Sequence, residues 1–370
     1  MIRLFKVAMA HEASKRVAEV LASGYIGQGP QVEEFERRFG ELVGAPHPPL
    51  TLNSCTSALD LALHLIGVGP GDEVVSTPMT CTASNGVIVN RGASIVWADV
   101  DPLTGLILAE DVERKLTACT KAIMAVDWGG KPCDYRMLRS FGVPVIEDAA
   151  HALCATIGGE PIARVGGDYV CWSFQAIKHL TTGDGGALLP PADKLERGRL
   201  LRWYGLDRRS DESFRCKQEI TEAGFKYHMN DVAAAIGLAN LELVGRHVLR
   251  HRENAAYYER ELFGKTADPE SSWWLYTLIV PERDAFIRDM RARGIETSPV
   301  HARNDRQPAF CFPSGPLPGV DFFAAREVAI PVGWWLSEGE REWVAGEVEE
   351  WIERQSSPAP LSALSGRETG

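Results

Sequence analysis

The feature that most constrains the fold is a rhythm running from residue 50 to residue 189. Short apolar runs alternate with stretches whose apolar residues return every three or four positions. The runs are Leu50-Thr51-Leu52, 73–77, 94–98, 122–126, Pro144-Val145-Ile146, 169–174 and Ala187-Leu188-Leu189. Each is too short for a helix, and Gly or Pro bounds most of them. Between them, 59–66, 82–90, 108–117 and 134–141 read as helices. Strands alternating with helices predict an α/β fold, a mostly parallel sheet flanked by helices on both faces. Strands buried on both sides explain why the runs are continuous rather than alternating. Ahead of this region, 12–22 reads as a helix broken by Gly24, Gly27, Gly29 and Pro30. Val32, Phe35, Phe39 and Val43 then place an amphipathic helix over 31–43.

After about residue 235 the rhythm changes. A helix is expected over 230–263, with Asp231 as a first-turn acid or cap. It is followed by a strand at 273–280, a helix at 282–293, a strand at 295–300, a Pro- and Gly-rich loop at 303–320 and a helix at 337–354. The 370 residues suit one large domain plus a smaller one. The expected division is a large α/β domain over 1–235, a smaller α+β C-terminal domain over 236–354, and a disordered tail over 355–370.

Composition excludes several functions. The net charge of −11 comes without a basic block, so nucleic acid is not an expected partner. The apolar stretches fall short of a span of about 20 residues, so no membrane partner is expected. The N-terminus lacks a sustained apolar segment of the secretory kind. The eight cysteines are scattered without a Cys-x-x-Cys pair. That pattern predicts reduced thiols in a cytoplasmic protein, with no metal site.

Two segments carry chemistry. In 171–186 an apolar run leads to Lys178, followed by Thr181-Thr182-Gly183-Asp184-Gly185-Gly186. In 143–148 a buried run ends in Glu147-Asp148. Alone, Lys178 reads as a surface residue. Together, an amine and a strand-end carboxylate are what pyridoxal 5'-phosphate (PLP) needs. The amine forms a Schiff base, and the acid keeps the pyridine nitrogen protonated. Asn53-Ser54-Cys55-Thr56-Ser57, between a strand and a helix, is an anion site or a plain N-cap. His151 follows Asp148 by three residues, as a site neighbour or a structural histidine. Gly183 to Gly186 fits a turn that delivers Lys178. The cluster Phe225 to Asp231 reads as a helix start, or as a ligand-facing loop or subunit contact, and His301 to Arg306 is another such cluster. Arg303 and Arg306 suit carboxylate or diphosphate recognition.

The motifs, in their order, resemble the DegT family of sugar aminotransferases, which are fold-type I PLP enzymes. The resemblance rests on 54–59, Gly71-Asp72-Glu73-Val74, Pro78-Met79-Thr80-Cys81, Gly92-Ala93, Asp99, Thr120-Lys121-Ala122-Ile123, 146–151, 173–178 and 182–186. It spans about Gly24 to Arg354.

The resemblance implies that Lys178 holds PLP and moves the proton, and that Asp148 pairs with the pyridine nitrogen. His151 would stand near the ring oxygen, and Thr56, the backbone at Cys55 and Ser173 would hold the phosphate. It also implies a homodimer in which Phe225 to Asp231, with Lys226 in place of the usual Asn, reaches the partner's phosphate. His301 and Arg303 are the candidate substrate residues. The chain departs from the family at Cys55, where Gly is usual, at Cys81, where an aromatic residue usually stacks on the ring, and at Asp127-Trp128. The expected reaction is amino transfer, with L-glutamate as donor, to a nucleoside-diphosphate-linked keto-deoxysugar for amino-sugar biosynthesis. Alternatives are sugar dehydration or deoxygenation, amination of a cyclitol ketone, and a silent sensor or scaffold. Lys178 argues against the branch of the family that has histidine there and dehydrates.

Overall fold

The computed structural model describes residues 1–210 and 215–356. In chain order the described strands are β1 (Leu50–Leu52), β2 (Glu73–Ser76), β3 (Ser94–Trp97), β4 (Thr120–Val126), β5 (Val145–Asp148), β6 (Thr156–Ile157), β7 (Glu160–Pro161), β8 (Tyr169–Ser173), β9 (Gly186–Leu189), β10 (Tyr276–Ile279) and β11 (Glu327–Ile330). The helices are α1 (Ala13–Ser23), α2 (Pro30–Leu42), α3 (Cys55–Ile66), α4 (Thr82–Asn90), α5 (Ala109–Lys115), α6 (Tyr135–Ser140), α7 (Ile162–Val165), α8 (Ala192–Leu201), α9 (Asp231–Phe263), α10 (Arg283–Ala292), α11 (Pro318–Arg326) and α12 (Glu338–Ser356).

The expected α/β sheet is present. Seven strands lie in the order β1-β9-β8-β5-β4-β2-β3. Pairing from β8 through β3 is parallel, and β9 runs antiparallel to both of its neighbours. The carboxyl ends of the parallel strands meet on one edge, where open α/β sheets bind ligands.

Strand alternation decides which side chains reach that edge. On β5, Ile146 packs into the cluster under α3, while Val145 packs into the opposite one. Asp148 therefore shares a face with Ile146, and Glu147 turns away. On β8, Trp172 and the following Phe174 meet α2 edge-on, 5.4 Å and 4.9 Å from Phe39. Ser173 is left on the ligand side.

A buried ion pair ties three elements together. Glu36 of α2 accepts from the Thr51 amide and hydroxyl, both at 2.9 Å, and from Arg202 beyond α8. Arg202 also donates to the Thr51 carbonyl at 3.0 Å. Burying both charges is costly unless each is paired and hydrogen-bonded, as here. The pair fixes β1, and β1 launches α3.

Asn230 caps α9 by accepting from the Ala233 amide at 2.9 Å. Asp231 serves a different helix. Its carboxylate accepts from Gly29 at 2.7 Å and Val32 at 3.2 Å, capping α2. The expected boundary at 235 falls in the first turns of α9. Ala234, Leu238, Val244 and Val248 of α9 pack on the large sheet, and Ala255 and Tyr258 pack on the β10–β11 core. By length and composition α9 alone, among the described residues, could cross a bilayer. In it 56% of the apolar window is buried against protein.

Three readings are corrected. The strand expected at 295–300 is only isolated bridges, Ile2 with Ile295 and Ser298 with Ala329. β10 pairs instead with β11, whose short Glu-Val-Ala-Ile run carried no alternation to read. The 303–320 loop contains two 3-10 turns and the start of α11. Of the tail expected over 355–370, Gln355 and Ser356 end α12, and the remainder lies outside the described residues.

Candidate active site

Lys178 sits on a loop that leaves β8 and returns to β9. The loop is closed at its base, where the Phe174 amide donates to Gly185 O at 2.9 Å and the Thr182 amide donates to Phe174 O at 3.0 Å. Gly183 turns it with φ +86°. Asn240 of α9 holds it from behind through Thr181 O at 2.8 Å. Lys178 is thus projected into a cavity of 480 Å³ at the carboxyl edge of the sheet.

The same cavity is lined by Cys55, Thr56, Cys81, Asp148, His151, Ser173 and His301. All of these were expected at the site. Arg303 stays outside, and Lys226, expected at the phosphate of a partner subunit, does not line it either. Lys226 is exposed, and its backbone carbonyl accepts from Asn53 Nδ2 at 3.2 Å. Arg303 is engaged elsewhere, donating to Asp305 at 2.8 and 2.6 Å and pairing with Asp321. A guanidinium held by two carboxylates is not a free diphosphate receptor.

Asp148 is almost fully buried. Its Oδ2 accepts from Ser84 Oγ at 2.7 Å and its Oδ1 from the Ala150 amide at 3.2 Å. Ser84 Oγ is in turn 2.8 Å from Thr80 Oγ1. Burial pushes the Asp148 carboxyl up, against these bonds and the nearby Lys178 charge. Lys178 moves the other way. Withdrawal from water lowers its amine to about 8, with Asp148 the largest opposing influence. The free-base amine is thus accessible near neutrality.

His151 Nδ1 accepts from the Gly129 amide at 3.3 Å, so the neutral ring carries its proton on Nε2. Burial holds this imidazole well below its ordinary value. His301 lies in near-parallel stacking with it, centroids 5.8 Å apart. The buried Nε2 of His301 has no hydrogen-bond partner among the described residues.

The donors fit PLP. A buried carboxyl that resists ionisation is restored to its charged form by a cation beside it, and the protonated pyridine nitrogen is such a cation. The N-terminus of α3 opens on the cavity, capped by Ser54 Oγ accepting from Ser57 N at 3.0 Å. A helix N-terminus favours a phosphate. Gly186 makes room for that turn, since a Cβ there would come within 2.5 Å of the Cys55 amide nitrogen.

Two contributors were not singled out in the sequence. Ser84 was legible only as a hydroxyl in the expected 82–90 helix. Trp274 was read as part of a strand. It lines the cavity wall, with His151 stacked at 4.0 Å and Phe5 at 5.2 Å. The tandem Trp273-Trp274 was its only sequence signal. Cys81, at the N-terminus of α4, is exposed at the mouth.

Known proteins share this fold. The structure superposes on AtS13 from Actinomadura melliaura with a TM-score of 0.90 and 44% identity, covering 95% of this chain and 98% of that one. Against the sugar aminotransferase CalS13 from Micromonospora echinospora the TM-score is 0.89 and the identity 40%, over 95% and 100% of the two chains. The dTDP-4-dehydro-2,3,6-trideoxy-D-glucose 4-aminotransferase of Saccharopolyspora spinosa is 31% identical, over 98% of this chain and 100% of its own. Residues 7–349 match the DegT/DnrJ/EryC1/StrS aminotransferase family. With that match over nearly the whole chain, and with a lysine, an acid and a helix N-terminus around one cavity, the chain belongs to this family and is a PLP-dependent aminotransferase.

Proposed function

We propose that the protein moves an amino group from L-glutamate onto the keto group of a sugar, carried as a nucleoside diphosphate, in amino-sugar biosynthesis. The carrying observation is that Lys178, Asp148 and the N-terminus of α3 line a single cavity. The sugar half of the reading is supported by the relatives, one of which acts on a dTDP-linked keto-deoxysugar by its name. The exchange balances without an oxidant. The donor's amino carbon becomes a ketone as 2-oxoglutarate, and the sugar's keto carbon becomes an amine.

Bound PLP would supply an electron sink. The chain's residues do the rest. Asp148 holds the proton on the pyridine nitrogen. Lys178 Nζ would take up and return the proton. Thr56, the Cys55 backbone and Ser173 hold the phosphate. His151, with its proton on Nε2, donates toward the ring oxygen. His301 Nε2 is the polar group open to a sugar oxygen. Lys226, exposed beside the turn after β1, reaches the phosphate of a second subunit in a homodimer. We place the enzyme in the cytoplasm, where its eight free thiols persist.

The test is a spectral titration. Protein loaded with PLP is mixed with L-glutamate and then offered keto-sugar nucleotides, free keto-sugars and cyclitol ketones in turn. The reading requires bleaching by glutamate and recovery by a keto-sugar nucleotide. Lys178→Ala is expected to lose turnover entirely, and Asp148→Ala most of it. A fully active Lys178→Ala enzyme would overturn the mechanism.

A further inference from the structure

The Lys178 amine is seated on an aromatic face. Its Nζ lies 3.4 Å from the centroid of the Trp274 ring. The same indole donates its N–H to Ile177 O at 3.0 Å. One side chain thus holds both the backbone that precedes the lysine and the tip of the lysine itself. The ring cannot swing away readily, because Phe5 and His151 both stack on it, at 5.2 Å and 4.0 Å.

The backbone carrying Trp274 is strained. Trp273 has φ +52°, a conformation that a bulky residue rarely adopts. Its surroundings hold it there. The Trp273 amide donates to Ser271 Oγ at 3.1 Å, and its indole N–H to Asp268 O at 2.9 Å. His251 Nδ1 lies 2.8 Å from Trp273 O. The flanking amides of Ser272 and Leu275 donate to Gly130 O and Gly129 O at 3.0 and 3.2 Å, and Ser272 Oγ donates to His151 O at 2.7 Å. Strain maintained by so many bonds, beside a reactive group, points to function.

We infer that Trp274 is a positioning residue for Lys178: its indole face receives the amine whenever that amine is free, favours its protonated form there and sets the direction from which it returns the proton. The inference rests on the reading of Lys178 as the PLP lysine. A cation over an indole is attracted to the ring quadrupole, most strongly out of water. Burial is the largest influence on the amine and lowers it, while Asp148, Cys55 and Cys81 act in the same direction as the indole; His151, His179 and His301 also lie near, and the Lys178 charge lowers each of them. Trp274 thus belongs to the set that keeps the amine able to hold a proton inside the cavity.

The test measures the Lys178 amine in the protein without PLP. Competitive acetylation over a pH series, with the Lys178 peptide quantified by mass spectrometry, reads its pKa directly. In Trp274→Leu the pKa is expected to fall by about one unit, because the amine loses its aromatic partner and stays enclosed. In Trp274→Phe most of the shift should be restored. A merely structural wall predicts the reverse sign, since a smaller side chain admits water and lets the amine rise. An unmoved or raised pKa in Trp274→Leu overturns the inference. Borohydride trapping of PLP in the unmodified protein separates the two readings. A trap on another lysine overturns the assignment of Lys178 and this inference with it. A trap on Lys178 with an unmoved amine overturns this inference alone.

Discussion

Ser84 Oγ donates to Asp148 Oδ2 at 2.7 Å, across 64 residues of sequence. The bond joins α4 to the end of β5. It stabilises the ionised carboxylate in a place where burial opposes ionisation. A hydrogen bond to a charged group contributes about 1.5–3 kcal/mol.

Ser84→Ala should therefore loosen the cofactor without unfolding the chain. PLP affinity is expected to fall about tenfold or more, since about 1.4 kcal/mol is a factor of ten. Fluorescence titration of the apo-protein with PLP measures it. Unchanged affinity would mean that the Ala150 amide, Cys55 Sγ and the Lys178 charge sustain the carboxylate without Ser84.

Gly186→Ala tests the phosphate turn. The added methyl would press on backbone, 2.5 Å from Cys55 N and 2.7 Å from Cys55 Cα, with no flexible side chain to yield. Either β9 or the start of α3 must move. Both PLP affinity and the thermal midpoint should drop, and inorganic phosphate should compete less well with PLP.

The pH dependence follows from Lys178. The amine must be neutral to accept a proton, and it titrates at about 8. Turnover limited by proton transfer should rise with pH through about 8 and fall roughly tenfold per unit below it. The sign for folding agrees in direction. The amine's folded value, about 8, lies below its ordinary 10.5, so the unfolded chain binds more protons between them. Stability contributed by this group therefore increases with pH across that window. A rate profile that breaks near 10 would show a solvated amine.

Arg202→Ala should be severe although it lies outside the cavity. The side chains of Arg202 and Glu36 are only 2% and 9% exposed. Removing the cation leaves Glu36 buried with only Thr51 to satisfy it. Breaking such a pair costs about 3–5 kcal/mol. Urea unfolding should show the loss as a lower midpoint with an unchanged slope.

Much of the site was legible because the chemistry is local. Asp148 ends a continuous apolar run, and Lys178 sits between an apolar run and a glycine turn. Those patterns need no knowledge of distant residues. Ser84 and Trp274 were not legible in this way. Ser84 matters only because α4 packs beside β5, and Trp274 because a left-handed residue turns its ring onto a loop 97 residues away. Arg303 failed in the opposite sense. An arginine in a polar loop looks free until its partners, Asp305 and Asp321, are seen beside it.

By itself the sequence determined the alternation of strands and helices in the large sheet, its mostly parallel character and the strand-end position of Asp148. It could do so because hydrophobic periodicity is written within each element. Which side chains converge was decided only by the tertiary structure. The strand order brings the ends of β5 and β8 together with α3 and α4, and residues 271–275 cross from the second core to close the wall. Those contacts join residues far apart in the chain, and their energies depend on burial, distance and competing partners that no local pattern records.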